Sequence, residues 1–269
     1  MTEEVTKKSE SEIEFDKKRA KVALDLGQDL LEIHDAIKDI EVLCKDLGIP
    51  IVSSAKKLNS DSIIFASNHK DYTETQEINK ILLQKLKNSD KKTILGFEFF
   101  RDFEDLVNDP KRNLTDEKFN KLLSSLAYKE TISGLLEVFN EIQQKYPDRF
   151  EIKLFDLAYT EIFLGRLIDK IMGDAGEEPE FDKKRDTQIV ANILDLLKTH
   201  EDDNLVFYAG MVHVADLLTK FKEIKESGNN EGIKIDNIAV YLPPLDRDIC
   251  HIVDIMLGTQ QDYTAALRK

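Results

Sequence analysis

The sequence has no tryptophan, six prolines and two cysteines in 269 residues. So few prolines leave little of the loop-rich punctuation of an all-β sandwich or barrel. Cys44 and Cys250 are far apart and neither sits in a CxxC pair, which excludes a zinc ribbon and a disulfide framework. Two isolated cysteines suit a reducing compartment. No apolar run approaches the roughly 20 residues of a membrane-crossing helix. The opening MTEEVTKKSESEIE is polar and acidic, without the apolar centre of a signal peptide. The expected location is the cytoplasm, with signal-less export into a host cell as the alternative. Positive charge is also scarce: 38 Lys and Arg face 52 Asp and Glu, a net charge of −14. Repulsion then opposes nonspecific contact with nucleic acid or anionic membrane. The basic clusters at 17–21 and 183–185 are short and sit beside acids.

What is present is a globular pattern. The composition is 41% hydrophobic and 33% charged, and the length suits a large α/β domain. Residues 1–13 read as a disordered tail. Residues 14–269 read as a single α/β domain with helical insertions near 102–147 and 158–182. Apolar spacing predicts a helix from Phe15 to Leu47, interrupted near Gly27, and a short edge strand at Ile51-Val52 beside Pro50. Strands follow at Asp61–Ala66, Thr93–Phe97, Phe150–Phe155, Leu205–Tyr208 and Asn237–Leu242, with helices between them near 73–87, 115–127, 130–145, 158–180, 183–200 and from His213 to about Glu226. Alternation of this kind predicts a central, mostly parallel sheet covered on both faces by helices. EFDKKR occurs at 14–19 and again at 180–185, but the flanks do not match and no domain repeat is implied.

In a parallel sheet the C-terminal ends of the strands share one edge, where α/β proteins place ligands and catalytic groups. His69, Glu98, Asp156 and His213 each follow a predicted strand, so all four are expected to converge there. Polar residues collect at strand ends in any case. Glu98 lies between Phe97 and Phe99, where a carboxylate is costly unless it is hydrogen-bonded, paired or metal-bound. An ion pair with Arg101 would satisfy it as well. His213 follows the glycine turn Ala209-Gly210 and can equally be a satisfied helix-end histidine. Arg185-Asp186 reads as a helix start, functional or simply solvated. His34, His200 and His251 have no strand-end context.

The order of these elements resembles the TraB/Tiki superfamily, which also takes in ChaN-like and erythromycin esterase-like proteins. Ala66-Ser67-Asn68-His69 stands at the GTxH or GExH motif, with alanine for the glycine and serine for the second residue. Glu98 matches the strand-terminal glutamate, Arg185-Asp186-Thr187-Gln188-Ile189 the RDxxM helix start, and Gly210-Met211-Val212-His213 the second GxxH. The resemblance spans about residues 60–242. It implies a hydrolase cleaving a peptide, ester or related bond of a small-molecule or peptide substrate with activated water. It also implies a divalent metal (manganese, zinc or cobalt) on His69, Glu98 and His213, three protein ligands with a position left for water. Glu98 would otherwise act as base, Arg185 as oxyanion stabiliser or partner of Glu98, and Asp186 as partner of a histidine; Asp156 is a further ligand candidate. The esterase likeness implies a metal-free form in which a histidine deprotonates water and Glu98 orients it. A haem-binding member of the scaffold and a non-catalytic toxin or effector domain are the alternatives.

Overall fold

The computed structural model describes residues 17, 28–55, 58, 60–69, 73–109, 116–126, 129–172, 180–228 and 232–257. The tail expected at 1–13, most of the helix expected before Gln28, and the loop at 173–179 lie outside these residues. The chain divides into two compact units: residues 1–39 with 244–269, and residues 40–243.

The larger unit is built on a sheet of six strands: β1 (Ile51–Val52), β2 (Ser62–Ser67), β3 (Thr93–Phe100), β4 (Phe150–Asp156), β5 (Asn204–Gly210) and β6 (Ile238–Tyr241), in the order β1-β6-β2-β5-β3-β4. Every pairing is parallel. Parallel strands cannot be joined by tight turns, so helices carry the chain back across the faces. The helices are α1 (Gln28–Leu47), α2 (Thr73–Asn88), α3 (Glu104–Val107), α4 (Glu117–Ser125), α5 (Lys129–Lys145), α6 (Tyr159–Met172), α7 (Glu180–Thr199), α8 (Met211–Ser227) and α9 (Pro244–Leu257). No helix among the described residues is long and apolar enough to cross a membrane.

Burial shows why the expected strands form. Every residue of β2, β5 and β6 is buried, which requires cover on both faces, since successive side chains point to opposite sides. β4, at the edge, begins with alternating burial, and Glu151 and Lys153 pair on its open side. On one face Ile63, Phe65, Leu95, Phe97, Phe99, Val206 and Tyr208 join residues of α2, α4 and α5, including Ile81, Phe119 and Phe139, in a single cluster. The residues of opposite parity, such as Ile64, Ile94, Gly96 and Phe207, lie outside that cluster. On their side α8 packs on β2 and β5, and α7 packs on β4 and α8. α7 buries Ile189, Ile193 and Leu197, and α8 buries Val214, Leu217, Leu218 and Phe221, the i, i+3/i+4 stripes that make each an amphipathic helix. Gly228 ends α8 in the left-handed conformation (φ 68°) that glycine adopts without steric cost.

Three expectations need correction. The turn expected at Ala209-Gly210 is the end of β5, and α8 begins directly after it at Met211 rather than at His213. β3 does not stop at Phe97 but runs on to Phe100, with a register irregularity against β4 between Phe97 and Phe100. α7 starts at Glu180, not Lys183, so Arg185 and Asp186 lie beyond its first turn and the helix-start argument for them fails. Glu180, Phe181 and Asp182 are already part of the helix.

In the smaller unit Leu31, Val253 and Leu257 pack together. His34 lies there between carboxylates, Nδ1 at 3.1 Å from Asp35 and Nε2 at 3.0 Å from Asp254, while Lys38 donates to Asp254. Neither Cys44 nor Cys250 is in a disulfide.

Candidate functional site

The strand order decides which side chains meet. β5 lies between β2 and β3, with Ser67 opposite Gly210 and Phe97 opposite Tyr208. The ends of these three central strands therefore abut. His69 follows β2 by two residues, Glu98 lies within β3 one residue past Phe97, and His213 stands in the first turn of α8, three residues after Gly210. By parity Glu98 points away from Phe97 and Phe99, toward the side of α7 and α8.

Glu98 is the hub, with a side chain 9% exposed. Its Oε1 lies 3.2 Å from His213 Nε2 and 3.7 Å from the Arg185 guanidinium. Its Oε2 accepts the Gly210 backbone N–H at 2.6 Å and lies 3.5 Å from His69 Nε2. Burial pushes the Glu98 carboxyl up, but the charges and hydrogen bonds of His213 and His69 more than reverse this and hold it well below the usual carboxylate range. Burial likewise pushes both imidazoles down, and Glu98 more than offsets it, leaving both above the ordinary histidine value. The cost of placing a glutamate between two phenylalanines is thus met by cations and an N–H from neighbouring elements.

Arg101 takes no part in this. It pairs with Glu161 through two contacts of 2.8 Å. Arg185 is held by Asp156, with Nε donating at 3.0 Å and a terminal N–H at 2.6 Å, a bidentate fork that fixes the guanidinium beside Glu98. Asp156 also accepts the Leu157 N–H. Asp186 Oδ1 lies 3.7 Å from His213 Nδ1, a buried nitrogen with no hydrogen-bond partner among the described residues. Burial pushes the Asp186 carboxyl up. A groove of about 410 Å3 opens between α7 and α8, with Asp186, Val190, Leu194 and Asp216 in its walls.

Two backbone features belong to the site. His69 has φ 59°, the only non-glycine residue with positive φ among the described residues. Histidine tolerates that conformation better than most, and strain of this kind gathers at functional positions. At Gly210 a Cβ would lie 3.1 Å from His69 Nε2 and 3.3 Å from Glu98 Oε2. A side chain there would crowd the space onto which both groups face.

All the residues expected from the sequence therefore come together, though not as ligands around a common point. Neighbouring ligands of a tetrahedral metal stand roughly 3.3–3.5 Å apart, and each His–Glu98 separation is of that order. Yet the imidazoles sit on different oxygens of Glu98. Among the described residues the only His/Cys/Asp/Glu trio whose ligand atoms all lie within 4.8 Å of one another is His34, Cys250 and Asp254, in the smaller unit. As arranged, the donor set of His69, Glu98 and His213 does not fit a metal, and the Glu98 carboxylate holds the centre.

Nothing in the sequence pattern singles out Glu74 and Tyr208. Glu74, fully buried in the first turn of α2, receives the Tyr208 hydroxyl at 2.6 Å, the Ser67 hydroxyl at 2.5 Å and the Asn68 N–H at 3.1 Å. The only signal was a tyrosine in an apolar strand, whose hydroxyl must find a partner when buried. No protein-family model, curated protein or solved structure matches this chain.

Proposed function

We propose that this chain is a hydrolase of the kind its resemblance to the TraB/Tiki superfamily implies, working in the metal-free, erythromycin esterase-like form. Its substrate would be an ester, peptide or related carbonyl compound. The observation that carries this reading is the arrangement of His69, His213, Arg185 and the Gly210 N–H around one carboxylate, that of Glu98.

In this mechanism His69 accepts the proton of the attacking water at Nε2. Its side chain is 29% exposed, against 11% for His213, so it is the histidine that solvent and substrate reach. The water oxygen bonds to the carbonyl carbon, Glu98 stabilises the imidazolium that forms, and the imidazolium gives its proton to the alcohol or amine as its bond to that carbon breaks. His213, through Nε2–H, and Gly210, through its backbone N–H, keep the Glu98 carboxylate from turning toward solvent. Arg185, held in place by Asp156, balances Glu98 and stabilises negative charge developing on the carbonyl oxygen. The substrate enters from the open strand ends.

A panel of activated esters, lactones and peptides, screened with the wild type and with His69→Ala, Glu98→Gln and His213→Ala, tests the proposal. The expected result is a turnover that falls about 10²–10⁴-fold in each variant while circular dichroism is unchanged. Full turnover in all three would discard the site. Chelation supplies the second arm. Turnover that survives it supports the metal-free form, and turnover abolished by it and restored by manganese, zinc or cobalt moves the reading to the metal-dependent form.

A further inference from the structure

The smaller unit brings together a second set of ligand-type side chains. His34, Cys250 and Asp254 are 6%, 4% and 5% exposed, and one ligand atom from each lies within 4.8 Å of the others. Two helices supply them. Cys250 and Asp254 stand four residues apart on one face of α9, and His34 and Lys38 four residues apart on one face of α1. His34 Nε2 lies 3.0 Å from Asp254 Oδ1, although 220 positions separate the two residues in the chain.

The donor types point to a particular cation. Thiolate and imidazole together select zinc over magnesium, calcium or manganese. Zinc ligands stand about 2.0–2.3 Å from the ion, so small side-chain rotations bring all three donors onto one centre. The charges match as well. A thiolate and a carboxylate carry two negative charges, which a divalent ion cancels, and a buried cluster is least costly when it is neutral. The outer contacts are those that orient a ligating histidine and carboxylate. Asp35 Oδ1 lies 3.1 Å from His34 Nδ1, the ring nitrogen away from Asp254, and Lys38 donates to Asp254 Oδ2 at 2.7 Å, leaving Oδ1 on the histidine side. A cysteine nucleophile is the other chemistry such a trio suggests. Its base needs a ring nitrogen for the thiol, and both nitrogens of His34 already lie on carboxylates.

We propose that His34, Cys250 and Asp254 form a zinc site that fastens the start of α1 to α9, with Asp35 and Lys38 orienting the ligands. On binding, the Cys250 thiol gives its proton to solvent and coordinates as the thiolate. Water completes the tetrahedron. The burial of all three ligands keeps a substrate from the ion, so the site stabilises and does not catalyse. It shares no residue with the Glu98 site and is independent of the hydrolase reading.

Cobalt(II) in place of zinc provides the test, because a thiolate ligand adds a charge-transfer band in the near ultraviolet that nitrogen and oxygen ligands lack. The reduced, untagged full-length protein is treated with chelator, then titrated with cobalt and afterwards with zinc, beside Cys250→Ser, Cys44→Ala, Asp254→Asn and Asp35→Asn. The expected result is a band that saturates at one equivalent of cobalt and is displaced by zinc, and a Tm that zinc raises. Cys250→Ser should lose both effects and Cys44→Ala should keep them. Asp254→Asn and Asp35→Asn should each weaken cobalt binding roughly 10- to 100-fold. Should Cys250→Ser fail to fold, unchanged affinity in these two variants overturns the proposal. A wild type without the band, or a band that survives Cys250→Ser or disappears in Cys44→Ala, also overturns it and leaves an ion-pair network of His34, Asp254 and Lys38. Metal held by Glu98 and its histidines would give no thiolate band, so the outcome is separate from that of the hydrolase reading.

Discussion

Glu98 is the residue on which the site depends, and its electrostatics make a signed prediction. Its carboxyl is held well below its ordinary value of 4.5, so its contribution to stability is present above that value and is lost as pH falls through the depressed one. His69 and His213 lie above the ordinary 6.5, so their contribution is complete below 6.5 and is lost as pH rises through the raised values. The network thus stabilises the fold most between about pH 4.5 and 6.5. Glu98→Gln should cost on the order of 3 kcal/mol in that window, with the difference from wild type shrinking at pH 3 and at pH 9. Urea unfolding of both proteins across this range checks it, and a difference independent of pH would show that the pairing is absent in solution.

At the scale of elements, β3 does two jobs with alternate residues. Phe97 and Phe99 fill the core against α5 and α4, with ring centroids 5.4 Å from Phe139 and 6.1 Å from Phe119. Gly96 and Glu98 face the other side. Gly96 is glycine because of Phe207: a Cβ at 96 would lie 2.5 Å from that ring, which is fully buried and has nowhere to move. Gly96→Ala should destabilise by about 1–3 kcal/mol, seen as a lower Tm in a thermal melt at a rate of roughly 2–4 °C per kcal/mol for a chain of this size. The irregularity after Phe97 sets Asp156 opposite Phe100, and Asp156 in turn fixes Arg185. Irregularities of this kind re-aim side chains beside functional sites. The strands themselves were legible because alternation and apolar runs are local. The end of β3 was not, because Glu98 looks like a breaker until its partners on other elements are known.

At the scale of the molecule, the interior of the larger unit should behave as closed. Cys44 is 1% exposed, and burial pushes its thiol up to about 12. A thiol that is neither ionised nor accessible does not react. At pH 8 Cys44 should resist iodoacetamide over hours in the native protein and react within minutes in denaturant, as followed by peptide mass spectrometry. Rapid native labelling would mean that the end of α1 opens locally. The charge of −14 belongs to the same scale, and its repulsion of polyanions is why no nucleic-acid partner is expected.

The sequence by itself determined which segments would be strands, that a parallel sheet would align their ends, and that His69, Glu98, Asp156 and His213 would stand near that shared edge. Periodicity and spacing are enough for this, since they report which face each residue occupies along its own element. Tertiary structure decided the rest. Only the order β2-β5-β3 sets both histidines on one carboxylate, and only the packing of α7 gives Arg185 to Asp156 rather than leaving it at a helix start. Only α2, folding back over the opposite face, brings Glu74 to Ser67. Strand order and helix docking are contacts between residues far apart in the chain, and no local pattern records which of many such pairings gives Glu98, Arg185 and Glu74 their partners.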